Sequence, residues 1–380
     1  MNENKGTILY VGGFELPDKN AAAHRVLNNA KVFRELGFRV IFCGIDKNIE
    51  YPTLEANRVS EFESYPLPYP KTTKQWIRQM LNIDRYIALI QQNADIKIVV
   101  AYNLHAFVLA KLLKFCRRRK IKVIADCTEW YSNAFSLNPV KFIKWLDTLL
   151  CMRHYQKKCD GMIAISHYLE DYYKKYISNI IVIPPLVDLN DKKYKDFPPK
   201  KKGNTLRFVY CGSPSVAKES LDSIVECFNS LKNRNFIFRV VGITREQFIA
   251  MYHVHPDNKK IFFEGYVSHT DALNIVRQSD YSLIIRPKNQ TTQAGFPTKF
   301  VEAISCGTAV IANDTSDLIE FLEDQKNGFL VSKKNLKEIL MLLLDKRIIS
   351  STKSDTFSYT KYIGKFQNMI NNLIFEDSNG

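Results

Sequence analysis

Twice along this chain, short apolar runs alternate with helical patterns, and a polar, lysine-rich stretch with two prolines, 189–204, separates the two series. Strands spaced by helices cannot close as hairpins. Each helix carries the chain back, so the next strand joins the last in parallel. The first series has strands at 7–11, 39–44, 96–101, 122–126, 161–166 and 180–185, with a helix at 21–36 that stops at Gly37. The second has strands at 206–211, 236–241, 260–263 and 281–286, with helices at 220–231 and 270–278. The pattern predicts two doubly wound α/β domains, 1–188 and 205–355, joined by the 189–204 linker. A last helical stretch, 359–374, follows.

A length of 380 residues suits two cores better than one, and an apolar fraction of 46% can fill both. Eight cysteines without C-x-x-C spacing, most in apolar surroundings, read as reduced buried thiols. No apolar run reaches the roughly 18 residues that span a bilayer. The opening apolar run, 8–11, is one strand long and is no signal peptide, so a cytoplasmic protein is expected.

The formal net charge of +15 concentrates between Lys71 and Lys122, where twelve basic residues face only Asp84 and Asp95. Three partners compete for it: an anionic membrane surface, solvent alone, or nucleic acid. No nucleic-acid module signature occurs, so no nucleic-acid partner is expected. His253 and His255 have H-x-H spacing without a completing Cys, Asp or Glu cluster, which predicts a surface loop and no metal.

The densest chemical signal is 295–322, GFPTKFVEAISCGTAVIANDTSDLIEFL. Pro297 suits the first turn of a helix, where its missing N–H costs nothing. The amides of Thr298, Lys299 and Phe300 would then open an anion site, with the Lys299 cation beside them. Glu302, one turn further in, can accept hydrogen bonds from a ribose diol. Phosphate at a helix start and a diol on a carboxylate describe a nucleotide-sugar pocket. After the first strand, Gly12 and Gly13 allow close approach of a donor phosphate to the backbone, or form a plain structural turn. They make no G-x-G-x-x-G fingerprint. His105 follows the 96–101 strand at the edge where α/β ligands bind, as a substrate contact or a structurally paired histidine. In ADCTEWYSN, Asp126 and Glu129 lie beside Trp130 and Tyr131, the pairing of carboxylates with aromatic faces that sugar sites use. Either is a candidate acceptor-side group, with a helix N-cap role for Asp126 or Thr128 as the alternative.

The 295–322 block resembles the donor-binding segment of retaining GT-B glycosyltransferases of family GT4, of the kind that build bacterial surface polysaccharides. The resemblance implies two Rossmann-like domains facing a central cleft. The first binds acceptor and is completed by the C-terminal helix 358–376; the second binds donor. It implies transfer of a hexose from a nucleotide diphosphate sugar, UDP-linked, with retention at the anomeric carbon. The implied acceptor is a polyprenyl-diphosphate-linked glycan of capsule or O-antigen type, met at the inner face of the plasma membrane. No D-x-D motif occurs, and no metal or other cofactor is implied. YCGSPSVAKES resembles the family loop whose arginine and lysine bind diphosphate: Lys218 matches the lysine, whereas the arginine falls on Ser213, after Gly212. Arg286 is placed to substitute as a fork for phosphate oxygens, with Lys288 as second choice. Glu302 matches the second of two family glutamates and the first falls on Ala294, which leaves the amides of Gly295 and Phe296 to reach the donor sugar. Gly242, Tyr266 and Val267 fall where the family encloses the nucleobase. The departures at Ala294 and Ser213 keep two alternatives open, a catalytically degenerate binding partner and a nucleotide-sugar epimerase.

Overall fold

The opening apolar run TILYVG is a strand, β1 (Thr7–Gly12), with every residue buried. In this computed structural model, residues 5–17, 19–52, 55–130, 138–195, 198, 200, 203–231, 233–257, 259–346, 348 and 354–375 are described. The chain divides into two compact units, Met1–Leu186 with Tyr359–Gly380, and Val187–Ser358.

In unit 1, β1 is followed by β2 (Arg39–Cys43), β3 (Ile45–Asp46), β4 (Asn57–Val59), β5 (Phe62–Ser64), β6 (Leu67–Pro68), β7 (Ile96–Tyr102), β8 (Lys122–Cys127), β9 (Gly161–Ala164) and β10 (Ile180–Val182). Eight of them form one sheet, ordered β10-β9-β8-β7-β1-β2-β5-β4, and β3 pairs with β6. All sheet neighbours run parallel except β4, which is antiparallel to β5. The helices are α1 (Ala21–Glu35), α2 (Thr73–Leu81), α3 (Asp84–Gln92), α4 (Ala106–Arg118), α5 (Pro139–Leu150) and α6 (His167–Tyr173). A π turn (Cys151–Tyr155) and a 3-10 turn (Gln156–Lys158) continue α5. Strands β9 and β10 end earlier than the sequence pattern suggests. Ser166 starts α6, which stops β9 at Ala164. Past Ile183, Pro184 and Pro185 have no N–H for a ladder, and β10 ends at Val182.

Unit 2 holds β11 (Leu206–Cys211), β12 (Phe236–Val241), β13 (Ile261–Gly265), β14 (Tyr281–Ile284), β15 (Ala309–Ala312) and β16 (Gly328–Leu330), in one parallel sheet ordered β13-β12-β11-β14-β15-β16. Its helices are α7 (Lys192–Lys195), α8 (Leu221–Asn229), α9 (Arg245–Tyr252), α10 (His269–Gln278), α11 (Gln290–Ala294), α12 (Thr298–Ser305), α13 (Leu318–Phe321) and α14 (Leu336–Lys346). The described part of 189–204 lies on this unit: Tyr194 is buried, its carbonyl accepts from Arg277, and Lys200 pairs with Asp280 at 3.0 Å.

The tail, a 3-10 turn (Tyr359–Tyr362) and α15 (Ile363–Phe375), returns to unit 1. Phe366 meets Phe33 of α1 edge-on at 5.1 Å, and Asn179 donates to the Met369 carbonyl at 2.9 Å. Among its parallel strands each sheet reverses strand order once, between β1 and β7 in unit 1 and between β11 and β14 in unit 2. Ligands of open α/β sheets bind outside the carboxyl ends of strands at such points. Seven cysteines are buried, Cys227 is half-buried, and none of the eight forms a disulfide. Among the described residues no helix is long and apolar enough to cross a membrane.

Candidate active site

In unit 2, β11 at the reversal and its neighbour β12 are each followed by a glycine. Gly242 follows β12 with φ +100°, and a Cβ there would lie 2.6 Å from the carbonyl carbon and oxygen of Gly212. Only glycine lets these two turns touch, and the contact leaves bare backbone at the end of β11. Lys299 rises beside it. Its Nζ lies 2.9 Å from Glu219 Oε1 and 3.0 Å from the Tyr210 hydroxyl, and 4.3 Å from the Tyr210 ring centroid. Glu302 lies on the same helix, and its Oε1 is 3.0 Å from His269 Nε2. Both Lys299 and Glu302 act electrostatically on the Cys211 thiol at the end of β11, whose pKa burial pushes up to about 12. A cation and a carboxylate thus flank one strand end.

Several expectations are corrected here. Pro297 occupies the N-cap of α12 and not its first turn, with φ −74° and ψ 115°. The Phe300 N–H is bound to the Pro297 carbonyl at 3.0 Å, so Thr298 and Lys299 carry the opening amides. The Gly295 N–H donates to the Thr291 carbonyl at 3.2 Å and is not turned to a sugar. The Phe296 side chain sits among Phe300, Phe321 and Phe357, with centroids 5.7 to 6.1 Å away. Arg286 does not present a fork outward. It is 5% exposed, and its guanidinium makes long hydrogen bonds to the carbonyls of Lys218 (3.3 Å), Thr292 (3.4 Å) and Gly295 (3.5 Å). A buried guanidinium surrounded by carbonyls ties the Lys218 turn to the α11–α12 loop. Ala294, where the family's first glutamate would stand, is fully buried.

Lys218 is half-buried in a turn closed by its own N–H on the Ser215 carbonyl at 2.9 Å, and Ser213 is exposed. Lys288 pairs with Asp314 on the surface. Tyr266 and Val267, after β13, are 70% and 37% exposed. His253 and His255 are exposed, as a surface loop requires. Sequence reasoning missed Glu219, Tyr210 and His269. Only Glu219 left a signal, an acid directly after the matched lysine that needs a cation once buried.

In unit 1, Gly12 closes β1 at φ +146°, and a Cβ there would lie 1.9 Å from the Tyr102 carbonyl oxygen. Gly13 follows, with its N–H on that same carbonyl at 3.3 Å. His105 caps the start of α4. Its Nδ1 is 2.8 Å from Asp147 Oδ2, and the other Asp147 oxygen accepts from the Ala106 N–H at 2.8 Å. The ring stays about one-third exposed and, with Trp76, Glu129, Lys144, Asp147 and Cys151, lines a cavity of about 250 Å³. His105 is thus paired and lines a cavity at once, and Asp147, which no sequence pattern singled out, orients it.

Asp126 is a correction. It is fully buried: Arg25 binds one carboxylate oxygen through Nε and Nη2, both at 2.8 Å, while Asn29 and the Tyr10 hydroxyl donate to the other. Burial and the Asp126 charge push the Tyr10 phenol well above its usual range. Asp126 therefore locks α1 to the sheet, neither meeting an acceptor nor capping a helix. Glu129 keeps the cavity; Tyr131 lies outside the described residues.

Comparison with known proteins agrees with this architecture. Residues 192–355 match the glycosyl transferases group 1 family, and residues 22–191 match glycosyltransferase family 4. A sequence search of curated proteins returns no match. Solved structures share the fold at low identity. Sucrose-phosphate synthase from Thermosynechococcus elongatus is 12% identical with a TM-score of 0.73, over 98% of this chain and 100% of that one. HepE from Anabaena, in complex with UDP and glucose, is 12% identical with a TM-score of 0.64, over 97% and 100%. The lipopolysaccharide outer core galactosyltransferase WaaB, in its apo form, is 13% identical with a TM-score of 0.62, over 96% and 99%. With both halves of the chain matched and the two Rossmann-like sheets in place, the chain belongs to the GT4-type glycosyltransferases of the GT-B fold.

Proposed function

We propose that this glycosyltransferase moves a hexose from a UDP-sugar to a lipid-linked intermediate of a bacterial surface polysaccharide, with retention at the anomeric carbon. The observation that carries the donor half is the end of β11. There the bare Gly212 backbone, the Lys299 cation at the opening of α12 and the Glu302 carboxylate suit a diphosphate and a ribose diol. The UDP and glucose named with HepE favour the same class of donor.

In the proposed reaction the bond from C1 to the diphosphate oxygen breaks, and its electron pair leaves with the diphosphate. The acceptor oxygen bonds to C1 on the same face, and its proton passes to a leaving phosphate oxygen. The enzyme's task is to stabilise the growing negative charge. Lys218, Lys299 and the amides of Thr298 and Lys299 supply positive potential, and Arg286 holds the Lys218 turn in place. The reading invokes no metal, so turnover in EDTA should equal turnover without it. Gly242, Tyr266 and Val267 border the nucleobase. In unit 1, His105 and Glu129 receive acceptor hydroxyls, with the protein held peripherally at the inner face of the plasma membrane.

The test is a thermal-shift panel of UDP, GDP, TDP, CMP and UDP-hexoses, followed by NMR of the product's anomeric configuration. A ligand at a hundred times its Kd adds about 2.7 kcal/mol of stability. A shift with UDP, a larger one with a single UDP-hexose, and a retained anomer are expected. An inverted anomer refutes the mechanism. The buried Ala294 and inward Arg286 favour a second reading, a binding-only partner of another transferase. Absence of both donor hydrolysis and transfer by the isolated chain would select it.

A further inference from the structure

Helix α5 (PVKFIKWLDTLL) is among the most apolar helices of the chain, yet none of its twelve residues is buried. Phe142, Leu146 and Leu150, spaced i, i+4, i+8, form one exposed stripe, each 37% open. Two neighbouring helices extend it. Lys144 of α5 sits 5.3 Å over the Trp76 ring of α2, and Lys111 of α4 donates to the Leu81 carbonyl of α2 at 2.8 Å. On these helices Ile77, Leu81 and Phe107 are exposed. Between them α4 shows Phe107, Lys111, Lys114 and Arg118 along one line. Beyond the apolar stripe, Lys114, Arg117, Arg118 and Lys158 line a cavity of about 350 Å³, floored by Ala110, Leu113 and Tyr155.

We infer that the α2–α4–α5 face of unit 1 docks on an anionic bilayer, with the α5 stripe among the acyl chains and a lipid phosphate in the α4 cavity. The inference deepens the membrane part of the proposed function and rests on that reading for its setting. An apolar stripe bordered by lysines is the pattern of a helix lying in the interface plane, with long cationic side chains reaching up to headgroups. Four cations around one cavity fit a phosphodiester. A second copy of this chain fits poorly, because a self-complementary contact would press Lys111, Lys114, Lys141 and Lys144 against their own kind. Asp147, the acid of α5, is turned to His105. Solvated nucleic acid would leave the apolar stripe uncovered.

The experiment is sedimentation of the full chain with vesicles of phosphatidylcholine alone, or mixed with phosphatidylglycerol, without donor or acceptor. Binding to the mixed vesicles is expected, weakening as salt rises. It should drop at least about tenfold in Phe142→Glu/Leu146→Glu and, separately, in Lys114→Ala/Arg118→Ala, since charges near an anionic surface and buried apolar area both set such affinity. Circular dichroism and UDP affinity should stay unchanged in both variants, which shows that they fold. No binding, equal binding to both vesicle types, or binding untouched by either variant overturns the inference. So does a wild-type dimer that Phe142→Glu/Leu146→Glu converts to monomers, which would make a second copy the occupant. Transfer to a water-soluble acceptor is measured in parallel: its loss in the wild type counts against the proposed function, whereas failed vesicle binding with transfer intact counts against the docking face alone.

Discussion

Lys299 and Lys218 carry the same formal charge into the proposed donor half-site, but in different surroundings. Lys299 is paired with Glu219 at 2.9 Å and stacked on Tyr210, whereas Lys218 is half-buried in a turn closed by its own N–H on the Ser215 carbonyl. Growing charge on a leaving diphosphate should draw on Lys218 as an electrostatic stabiliser. Lys218→Ala is expected to lower kcat about 100-fold, the scale for losing one electrostatic stabiliser, with a smaller change in KM. A normal kcat with a raised KM would make Lys218 a uniform binder. Asp126→Ala should act differently. It strands the buried Arg25 guanidinium, and breaking one side of a buried pair costs roughly 3–5 kcal/mol. Denaturant unfolding should show that loss while UDP affinity of the folded fraction stays unchanged. A change in acceptor KM without loss of stability would return Asp126 to the acceptor site. The sequence showed an acid at the end of a strand beside aromatics, and could not show that Arg25, a hundred residues earlier, would close over it.

At the scale of elements, the βα order of both units was legible because a parallel strand with both faces covered is apolar throughout and short. The edges were not. The 45–95 segment, with its two-residue and three-residue strands and helices α2 and α3, carries no run long enough to fix a period. The Pro297 turn was placed one position off because proline suits both the N-cap and the first turn by its φ. Half of the proposed donor site was readable, since Lys299 and Glu302 are three apart on one helix. Tyr210, Glu219 and His269 come from other elements and meet only through the fold. The glycine contact between the ends of β11 and β12 gives a test of that convergence. Gly242→Ala places a methyl 2.6 Å from the Gly212 carbonyl at a φ that L side chains rarely adopt. Backbone cannot yield as a flexible side chain would, so the turns must part and move Gly212 away from Lys299. UDP should bind at least about tenfold more weakly while the melting of unit 1 is unchanged. Undiminished UDP affinity would mean that the strand end does not hold the donor.

The whole molecule is not two units in sequence, because its last helix belongs to the first of them. The chain leaves unit 1 after Leu186, builds unit 2, and returns at Tyr359. Phe366, Met369, Ile370 and Leu373 then enter the same core as Tyr10, Phe33 and Ile163. Full burial of one such side chain is worth about 1.5–3 kcal/mol, so four of them supply roughly 6–12 kcal/mol before the cost of ordering the helix. That is as large as the total stability of an ordinary domain, about 5–15 kcal/mol. Truncation after Ser358 also leaves the buried Asn179 amide without the Met369 carbonyl. The truncated chain should therefore lose hydrogen-exchange protection in β8, β9 and β10, whereas β11, β12 and β14, whose core contains no tail residue, should keep theirs. Calorimetry should show the unit 1 transition displaced or absent beside an unchanged unit 2 transition. UDP binding should survive the truncation, because Lys218, Lys299 and Glu302 all lie within Val187–Ser358. If both sheets stay protected, α15 merely rests on unit 1 and its apolar face is not part of the core. If both lose protection together, the units fold as one cooperative body, and the chain's return at Tyr359 is what couples them.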